Sequence, residues 1–270
     1  MSNCRRRRPT ALVLAAALSL GLAAGCAQLP PGQGTALSGK RLIVTLNYSG
    51  FINPNYHYFF ILNNAGDQNA PGPVPVALPP YGNGFATGSG ANPGGFTDFV
   101  RFDNFQPGNN GYTLYHVVGD PNRSMFVNEG SPITTVRPDA NDPRTGKQLQ
   151  FQIDLSQLIT DANGKPVPVQ QAVTAARSLR FLQMNIISTD VVPADLATPV
   201  QKQVDSLGNT RTANGQSTFV VLDVSQNRVY RNSDFVGQFA FEPSDEDIYG
   251  SSTPDPSLDL VDWSVEVRQQ

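Results

Sequence analysis

The chain has 270 residues and a formal net charge of −3, from 19 basic and 22 acidic side chains. Its lysines and arginines form no basic patch beyond the first few residues, which argues against nucleic-acid binding. Hydrophobic residues make up 39% of the chain, beside 24 Gly and 22 Pro. That composition excludes an intrinsically disordered protein and indicates many short strands joined by structured turns.

The N-terminal segment predicts export. Arg5–Arg8 precede an apolar run from Ala11 to Ala24, and a small residue and a cysteine follow it, as in a secretory signal. The run is shorter than the roughly 20 residues of a spanning helix, so an uncleaved anchor is the less favoured alternative. Leu22 and then Ala23-Ala24-Gly25-Cys26 resemble the lipobox of bacterial lipoproteins. The resemblance implies cleavage before Cys26, lipid on its sulfur and, with Ala27 next, sorting to the outer membrane if there is one.

The cysteine count agrees with lipidation. The chain has two cysteines, and Cys4 lies in the segment that would be removed. Cys26 would then be alone, so the mature protein could form no intrachain disulfide. Removing residues 1–25 would also change the net charge from −3 to −7. We therefore predict a signal peptide at 1–25, a lipidated N-terminus with a flexible tether at 26–39, and one folded domain at 40–270.

Alternating apolar residues predict strands along the whole domain. The clearest pattern is at 149–155, where every second side chain is apolar. Trp263 shares one face of the last strand with valines, which places it in the core. A short helix is expected at 167–176 and a helical turn at 156–160. The other predicted strands start at Arg41 and lie at 56–62, 96–105, 112–118, 124–127, 133–137, 178–188, 218–224 and 258–268. About ten strands predict an all-β, two-sheet antiparallel sandwich of the jelly-roll or immunoglobulin-like kind.

The connection from Asn63 to Gly95 is the strongest sequence indication of a binding site. It holds eight Gly, six Pro and five Asn, and a loop of this length is usually functional or disordered. We call this segment the flap. Aromatic planes beside amide and charged groups suit sugars, although core packing is the alternative for each residue. The candidate ligand-binding residues are Tyr48, Tyr56, Tyr58, Tyr81, Asn83, Phe85, Asp98 and Arg101.

The order of elements also resembles a known group of sandwiches. The aromatic strand Tyr56–Leu62, the turn Asn63–Asp67 with the flap behind it, and the terminal strand Asp262–Val267 are similar to DOMON and family 9 carbohydrate-binding-module domains. That resemblance implies a sugar or haem as ligand. Haem is not favoured, because no axial Met–His pair can be picked out, and no cofactor is predicted.

Calcium is the one metal that the sequence suggests. Two segments place oxygen-bearing side chains at nearby positions, as calcium loops do, although Asx-rich turns need no metal. The segment 242–262 carries seven carboxylates, which could bind calcium or be solvated. His57 and His116 lie mid-strand and are expected to be core or edge residues. The candidate calcium ligands are Asp139, Asn141, Asp142, Asp161 and Asn163.

No motif in the chain indicates catalysis. It has no nucleophile elbow, no His-Glu-x-x-His and no phosphate or dinucleotide loop. We therefore expect a non-enzymatic, membrane-anchored envelope lipoprotein whose sandwich binds a glycan or another surface ligand. The alternatives are an assembly protein that binds another envelope protein and, third, a glycan-active hydrolase.

Overall fold

The computed structural model describes residues 37–88, 95–106, 109–119, 126–194, 197–211 and 217–269. The signal peptide, Cys26 and most of the predicted tether lie outside these ranges. The described residues form one α-helix, Val169–Ser178 (α1), and fourteen strands. The strands are Lys40–Tyr48 (β1), His57–Asn63 (β2), Pro73–Pro75 (β3), Ala86–Gly88 (β4), Asp98–Phe102 (β5), Tyr112–Val117 (β6), Phe126–Gly130 (β7), Thr134–Val136 (β8), Gln148–Asp154 (β9), Phe181–Thr189 (β10), Val204–Ser206 (β11), Val220–Asp223 (β12), Arg228–Arg231 (β13) and Leu260–Gln269 (β14).

Two antiparallel sheets pack face to face, which confirms the predicted β-sandwich. The first has the order β13-β14-β1-β9-β8. The second has the order β11-β10-β2-β5-β6-β7, and β12 pairs with another part of β10. β3 and β4 pair with each other inside the flap. No helix in the described ranges is long and apolar enough to cross a membrane.

The main core lies between the sheets, where period-two side chains meet. β1 alternates buried and half-buried residues along its whole length. Its inward Leu46 lies opposite Trp263 of β14 and Leu149 of β9, so three neighbouring strands turn one apolar face to the second sheet. Phe60 meets Phe151 across the gap with ring centroids 5.6 Å apart. Each such side chain contributes roughly 1.5–3 kcal/mol on burial.

A second core lies on the outer face of the second sheet. β2 is apolar on both faces, so the side turned away from the first sheet also needs a cover. The flap supplies it: the Phe85 ring stacks on Phe59 at 4.1 Å, and Phe99 packs edge-on against Phe85 at 5.1 Å. Lys202 fastens the flap, because its Nζ donates to the carbonyls of Val76 (2.7 Å) and Gly84 (2.5 Å).

The helix and the longer strands agree with the sequence prediction within a few residues. α1 presents Ala172, Val173 and Ala176 to the 3-10 turn at Leu155–Leu158. Four strands, β3, β4, β11 and β13, were not predicted, because three or four residues carry too little alternation to stand out.

Candidate metal centre

Three carboxylates from distant parts of the chain converge at one end of the sandwich. Asp205 lies on β11, while Glu242 and Asp247 lie in the long connection between β13 and β14. One oxygen from each lies within 4.8 Å of the others. All three residues are fully buried, and Asp259, just before β14, is buried beside them and raises the pKa of each.

Backbone contacts hold the connection against β11. Val204 and Tyr249 each donate a backbone N–H to the carbonyl of the other. The side-chain amide of Asn232 donates to the Glu242 carbonyl and accepts from the Glu242 N–H, both at 2.8 Å. Gly208 has a positive φ of 83°. A Cβ at Gly208 would collide with the carbonyl oxygen of Phe239. Glycine is therefore required for the strand carrying Asp205 and the segment carrying Glu242 to approach each other.

Asp205 is well supplied with hydrogen bonds. Its Oδ1 accepts from Thr210 Oγ1 at 3.0 Å and from the Ser206 N–H at 2.8 Å, and its Oδ2 accepts from the Leu260 N–H at 2.7 Å. Thr210 also donates its N–H to Asp247 Oδ2 at 3.0 Å. These hydrogen bonds hold the carboxylates of Asp205 and Asp247 in place. The other carboxylate oxygens of the cluster face one another.

The remaining oxygens have no partner among the described residues. Both carboxylate oxygens of Glu242, Oδ1 of Asp247 and Oδ1 of Asp259 accept no hydrogen bond there. The described ion pairs include no pair to any of the four carboxylates; the nearby Arg211 pairs loosely with Asp245 instead, at 3.9 Å. An ionised carboxylate buried in this way costs several kcal/mol unless a cation or a proton neutralises it.

The pKa values follow from this crowding. Burial first, and then the charge of Asp247, raise the pKa of Asp205 well above its usual range. Burial, followed by the charges of Asp205 and Asp247, also raises the pKa of Glu242 well above its usual range. Burial raises the pKa of Asp247 to about 7. Without a cation, the cluster can be neutral only by holding protons at a pH where ordinary carboxyls have lost them.

The geometry suits calcium. Calcium takes oxygen ligands at about 2.4 Å, so two ligands on opposite sides of the ion lie about 4.8 Å apart. The three oxygens fit within that span. Zinc prefers nitrogen and sulfur, and magnesium needs a tighter octahedron that usually keeps several waters. Asp205, Glu242 and Asp247 are therefore the residues that would hold a calcium ion, with Asp259 adding negative charge beside them.

The predicted aromatic binding face is not at the surface. Tyr81 is 1% and Phe85 2% exposed, because the flap turns them inward to cover β2. Tyr56 donates to Asp255 at 2.9 Å, and Arg101 donates to Asp103 at 2.6 Å. These side chains therefore do not form one exposed face, because the flap rings cover the second apolar face of β2. Of the eight predicted residues, Tyr56 and Arg101 are half-buried, and Tyr48, Tyr58, Tyr81, Asn83, Phe85 and Asp98 are buried.

The two predicted calcium loops are Asx turns. Asp139 Oδ1 accepts the N–H of Asn141 at 2.9 Å, and Asp142 Oδ1 accepts that of Arg144 at 2.9 Å. In the other loop, Asp161 Oδ1 accepts the N–H groups of Asn163 at 2.8 Å and Lys165 at 2.9 Å. Turn formation explains both patterns, and among the described residues the acidic group with the spacing of a cation site lies elsewhere.

Both histidines pair with buried carboxylates that the sequence could not match to them. His57 Nδ1 lies 2.8 Å from Asp103 Oδ2, and His116 Nδ1 lies 2.7 Å from Asp98 Oδ1. The Nε2 of His116 lies 2.9 Å from Thr160 Oγ1. Asp98, predicted as a ligand-binding residue, thus has a hydrogen-bonding partner inside the protein.

Comparisons of the chain with protein-family models, with curated proteins and with solved structures find no match.

Proposed function

We propose that the protein is an exported, lipid-anchored β-sandwich of the cell envelope whose folded state depends on a bound calcium ion. The observation that carries the proposal is Glu242: the residue is fully buried, and neither of its carboxylate oxygens has a partner among the described residues. Two further buried carboxylates each place an oxygen within 4.8 Å of one of its oxygens, the spacing of two ligands around one calcium ion. A divalent cation neutralises this charge and satisfies the oxygens at once.

The compartment expected from the N-terminal sequence supports calcium. A lipid on Cys26 would hold the domain outside the cytoplasm, where modules with Kd values of about 10⁻⁴–10⁻³ M are loaded. The site joins β11 to the connection before β14, so calcium would order the loops at this end of the sandwich. In this proposal, the ion is structural and the anchored domain offers its surface to a partner.

Calorimetric titration of the metal-free mature domain with Ca²⁺ tests the proposal. We expect one saturable site per chain in wild type and its loss in Glu242→Gln. The Asp161→Asn variant, which alters a predicted calcium loop on the surface, should bind as wild type does. Saturable binding that survives Glu242→Gln and disappears in Asp161→Asn would place the site in the turn instead.

A glycan remains the favoured ligand of the anchored domain, at a different place from the flap. Phe105 is 70% exposed, and its chain neighbours Asn104 and Gln106 line a polar depression of about 240 Å³ together with Asn110 and Arg137. An exposed ring beside amide and guanidinium groups is the combination that sugars use.

Binding to envelope polysaccharides, measured by calorimetry in wild type and Phe105→Ala, tests this assignment. Phe51→Ala is the matched control, because Phe51 is also exposed and neither it nor its chain neighbours line the depression. Loss of binding in Phe105→Ala alone supports the glycan site. Absence of saturable binding together with one stoichiometric protein in a cellular cross-link would favour the assembly protein, through the exposed Val236 and Phe239.

A further inference from the structure

The structure assigns a second, chemically active site to this domain: we propose that Thr160 is a nucleophile, activated by His116, that accepts acyl groups from small carboxylic esters. The inference goes beyond the proposed function and departs from the sequence expectation of a non-catalytic domain. It is independent of the calcium site, which uses none of the same residues.

The sheet positions the imidazole of His116, the proposed catalytic base, through its Nδ1 atom. Asp98 on β5 and His116 on β6 are directly opposite in register, and Asp98 Oδ1 lies 2.7 Å from His116 Nδ1. The other carboxylate oxygen accepts from Thr97 Oγ1 at 2.6 Å and from Asn64 Nδ2 at 3.0 Å. Asp98 is fully buried and makes three hydrogen bonds, so it holds the imidazole in one orientation.

These contacts determine the direction of the last hydrogen bond. An ionised carboxylate only accepts, so the Nδ1 of His116 must carry the proton. In the neutral ring, Nε2 is then an acceptor, and Thr160 donates its hydroxyl proton to it across 2.9 Å. A buried acid, an oriented imidazole and a hydroxyl in this order are the arrangement that activates an oxygen nucleophile.

The hydroxyl can be reached from solvent. His116 and Thr160 line an open depression of about 280 Å³ together with Leu158, Ile159 and Ala162. This volume is slightly below the range typical of small-molecule sites, and Leu158, Ile159 and Ala162 form an apolar part of a lining that also holds polar groups. A short acyl chain fits these limits, whereas a polymer chain would remain largely outside.

The turn that follows Thr160 supplies a donor for the carbonyl oxygen. Within it, Asp161 and Gly164 donate their N–H groups to backbone carbonyls, and Asn163 and Lys165 donate theirs to the Asp161 carboxylate. The N–H of Ala162 has no partner among the described residues, and Ala162 is exposed in the depression. An N–H two residues from the nucleophile is a candidate for stabilising the oxyanion.

Gly164 brings this turn close to the imidazole. It has a positive φ of 68°, and a Cβ there would lie 3.2 Å from His116 Cδ2 and would collide with Val118. A side chain is therefore excluded at this position. The turn covers one side of the ring and leaves Nε2 facing Thr160.

Acidic neighbours set the pH range of the base. Burial lowers the pKa of His116, but the hydrogen bond and charge of Asp98, followed by the charges of Glu129 and Asp161, outweigh it and leave the pKa raised. A protonated ring cannot accept the Thr160 proton, so the site works only above the pKa of His116.

The reaction balances without any added cofactor. The Nε2 of His116 takes the Thr160 proton as Oγ1 bonds to the ester carbonyl carbon. The tetrahedral intermediate collapses, the bond to the alkoxy oxygen breaks, and the imidazolium returns the proton to the leaving alcohol. Water then attacks the acyl-threonine by the same steps, which releases the acid and restores the hydroxyl.

Acetylation by 4-nitrophenyl acetate tests the proposal in the mature protein with calcium present. We expect a transient acetyl group on Thr160, located by peptide mass spectrometry, and release of nitrophenol that rises with pH. Thr160→Ala should lose the label, Thr160→Ser should keep it, and His116→Ala should slow acylation about 100-fold. Asp98→Asn, a positioning variant, should move the pH midpoint downward, because it removes the charge that raises the pKa of His116.

The His57 pair provides the matched control. His57 also lies beside a carboxylate, Asp103, but Arg101 shares that carboxylate and no described hydroxyl bonds to the ring. His57→Ala should therefore leave Thr160 acylation unchanged. Thermal melts would confirm that each variant is folded. Absence of acetyl-Thr160 in folded wild type, or equal nitrophenol release by folded Thr160→Ala, would overturn the proposal.

Discussion

Replacing Glu242 with glutamine should stabilise the metal-free protein and destabilise the calcium-bound one. The substitution keeps the shape of the side chain and removes one of the buried negative charges. In metal-free protein, each charge pair at about 4.8 Å costs roughly 3 kcal/mol at an effective dielectric constant of 20. Proton uptake by the cluster reduces that cost, so we expect a gain of about 1–2 kcal/mol at pH 7.5.

Calcium should reverse the order of the two proteins. A site at 1,000-fold excess over its Kd stabilises the folded state by about 4 kcal/mol. For a domain of this size, each kcal/mol moves Tm by about 2–4 °C, which gives a wild-type shift of about 8–16 °C. If glutamine weakens binding about 100-fold, the variant should gain only about 1.4 kcal/mol.

Differential scanning calorimetry in chelator and in calcium measures both effects. The pH dependence adds a second check. The carboxyl pKa values are raised in the folded protein, so the stability that the protonated cluster contributes is complete below about pH 4. It is lost as the pH rises through the folded values, about 7 for Asp247. Chelated wild type should therefore lose stability over that window, and calcium should flatten the curve. If Glu242→Gln melts lower than wild type in both buffers, the carboxylate has a structural role and the reasoning is refuted.

Three further predictions concern the fold. Phe85→Ala should lower the free energy of unfolding in urea by about 3–5 kcal/mol, because the Phe85 ring stacks on Phe59. Phe105→Ala, at an exposed position, should change it by less than about 0.5 kcal/mol, and similar losses in both variants would contradict the inward position of Phe85. Gly208→Ala should lower both Tm and calcium affinity. Gly237 has a similar φ of 81° but open space where a Cβ would lie, so Gly237→Ala should lower the free energy of unfolding by only about 1–2 kcal/mol. Equal effects of the two substitutions would show that backbone strain alone matters. Burial lowers the pKa of Lys202 to about 8, so the wild-type free energy of unfolding should rise between about pH 8 and 10.5 and Lys202→Met should abolish that rise; a pH-independent wild type would refute it.

The sandwich was predictable because its strands carry local patterns. β1, β9 and β14 alternate apolar and polar residues, and such alternation reports a half-buried strand without any tertiary information. The double-sided apolar pattern of β2 was also visible. The consequence of that pattern could not be predicted. A second buried face requires a cover, and the flap rings, which in the sequence suggest a ligand site, provide that cover.

The sites were less predictable because their residues meet through long-range pairing. Asp205 and Glu242 are 37 positions apart and are joined by the bridge between Val204 and Tyr249. His116 and Thr160 are 44 positions apart. No spacing rule links either pair. The acidic run at 242–262 is visible in the sequence, but a run alone does not distinguish ligands from solvated charges.

The burial of β2 on both faces also limits how the flap can move. To lift it, the protein would have to expose Phe59, Phe85 and Phe99 together and release the Lys202 hydrogen bonds. At roughly 1.5–3 kcal/mol for each ring, that opening costs an amount comparable with the whole stability of an ordinary domain. The described part of the flap is thus a third structural layer and not a lid. Ligands have to be recognised on surfaces that are already open, and variation in the flap sequence should affect how much folded protein accumulates before it affects what the protein binds.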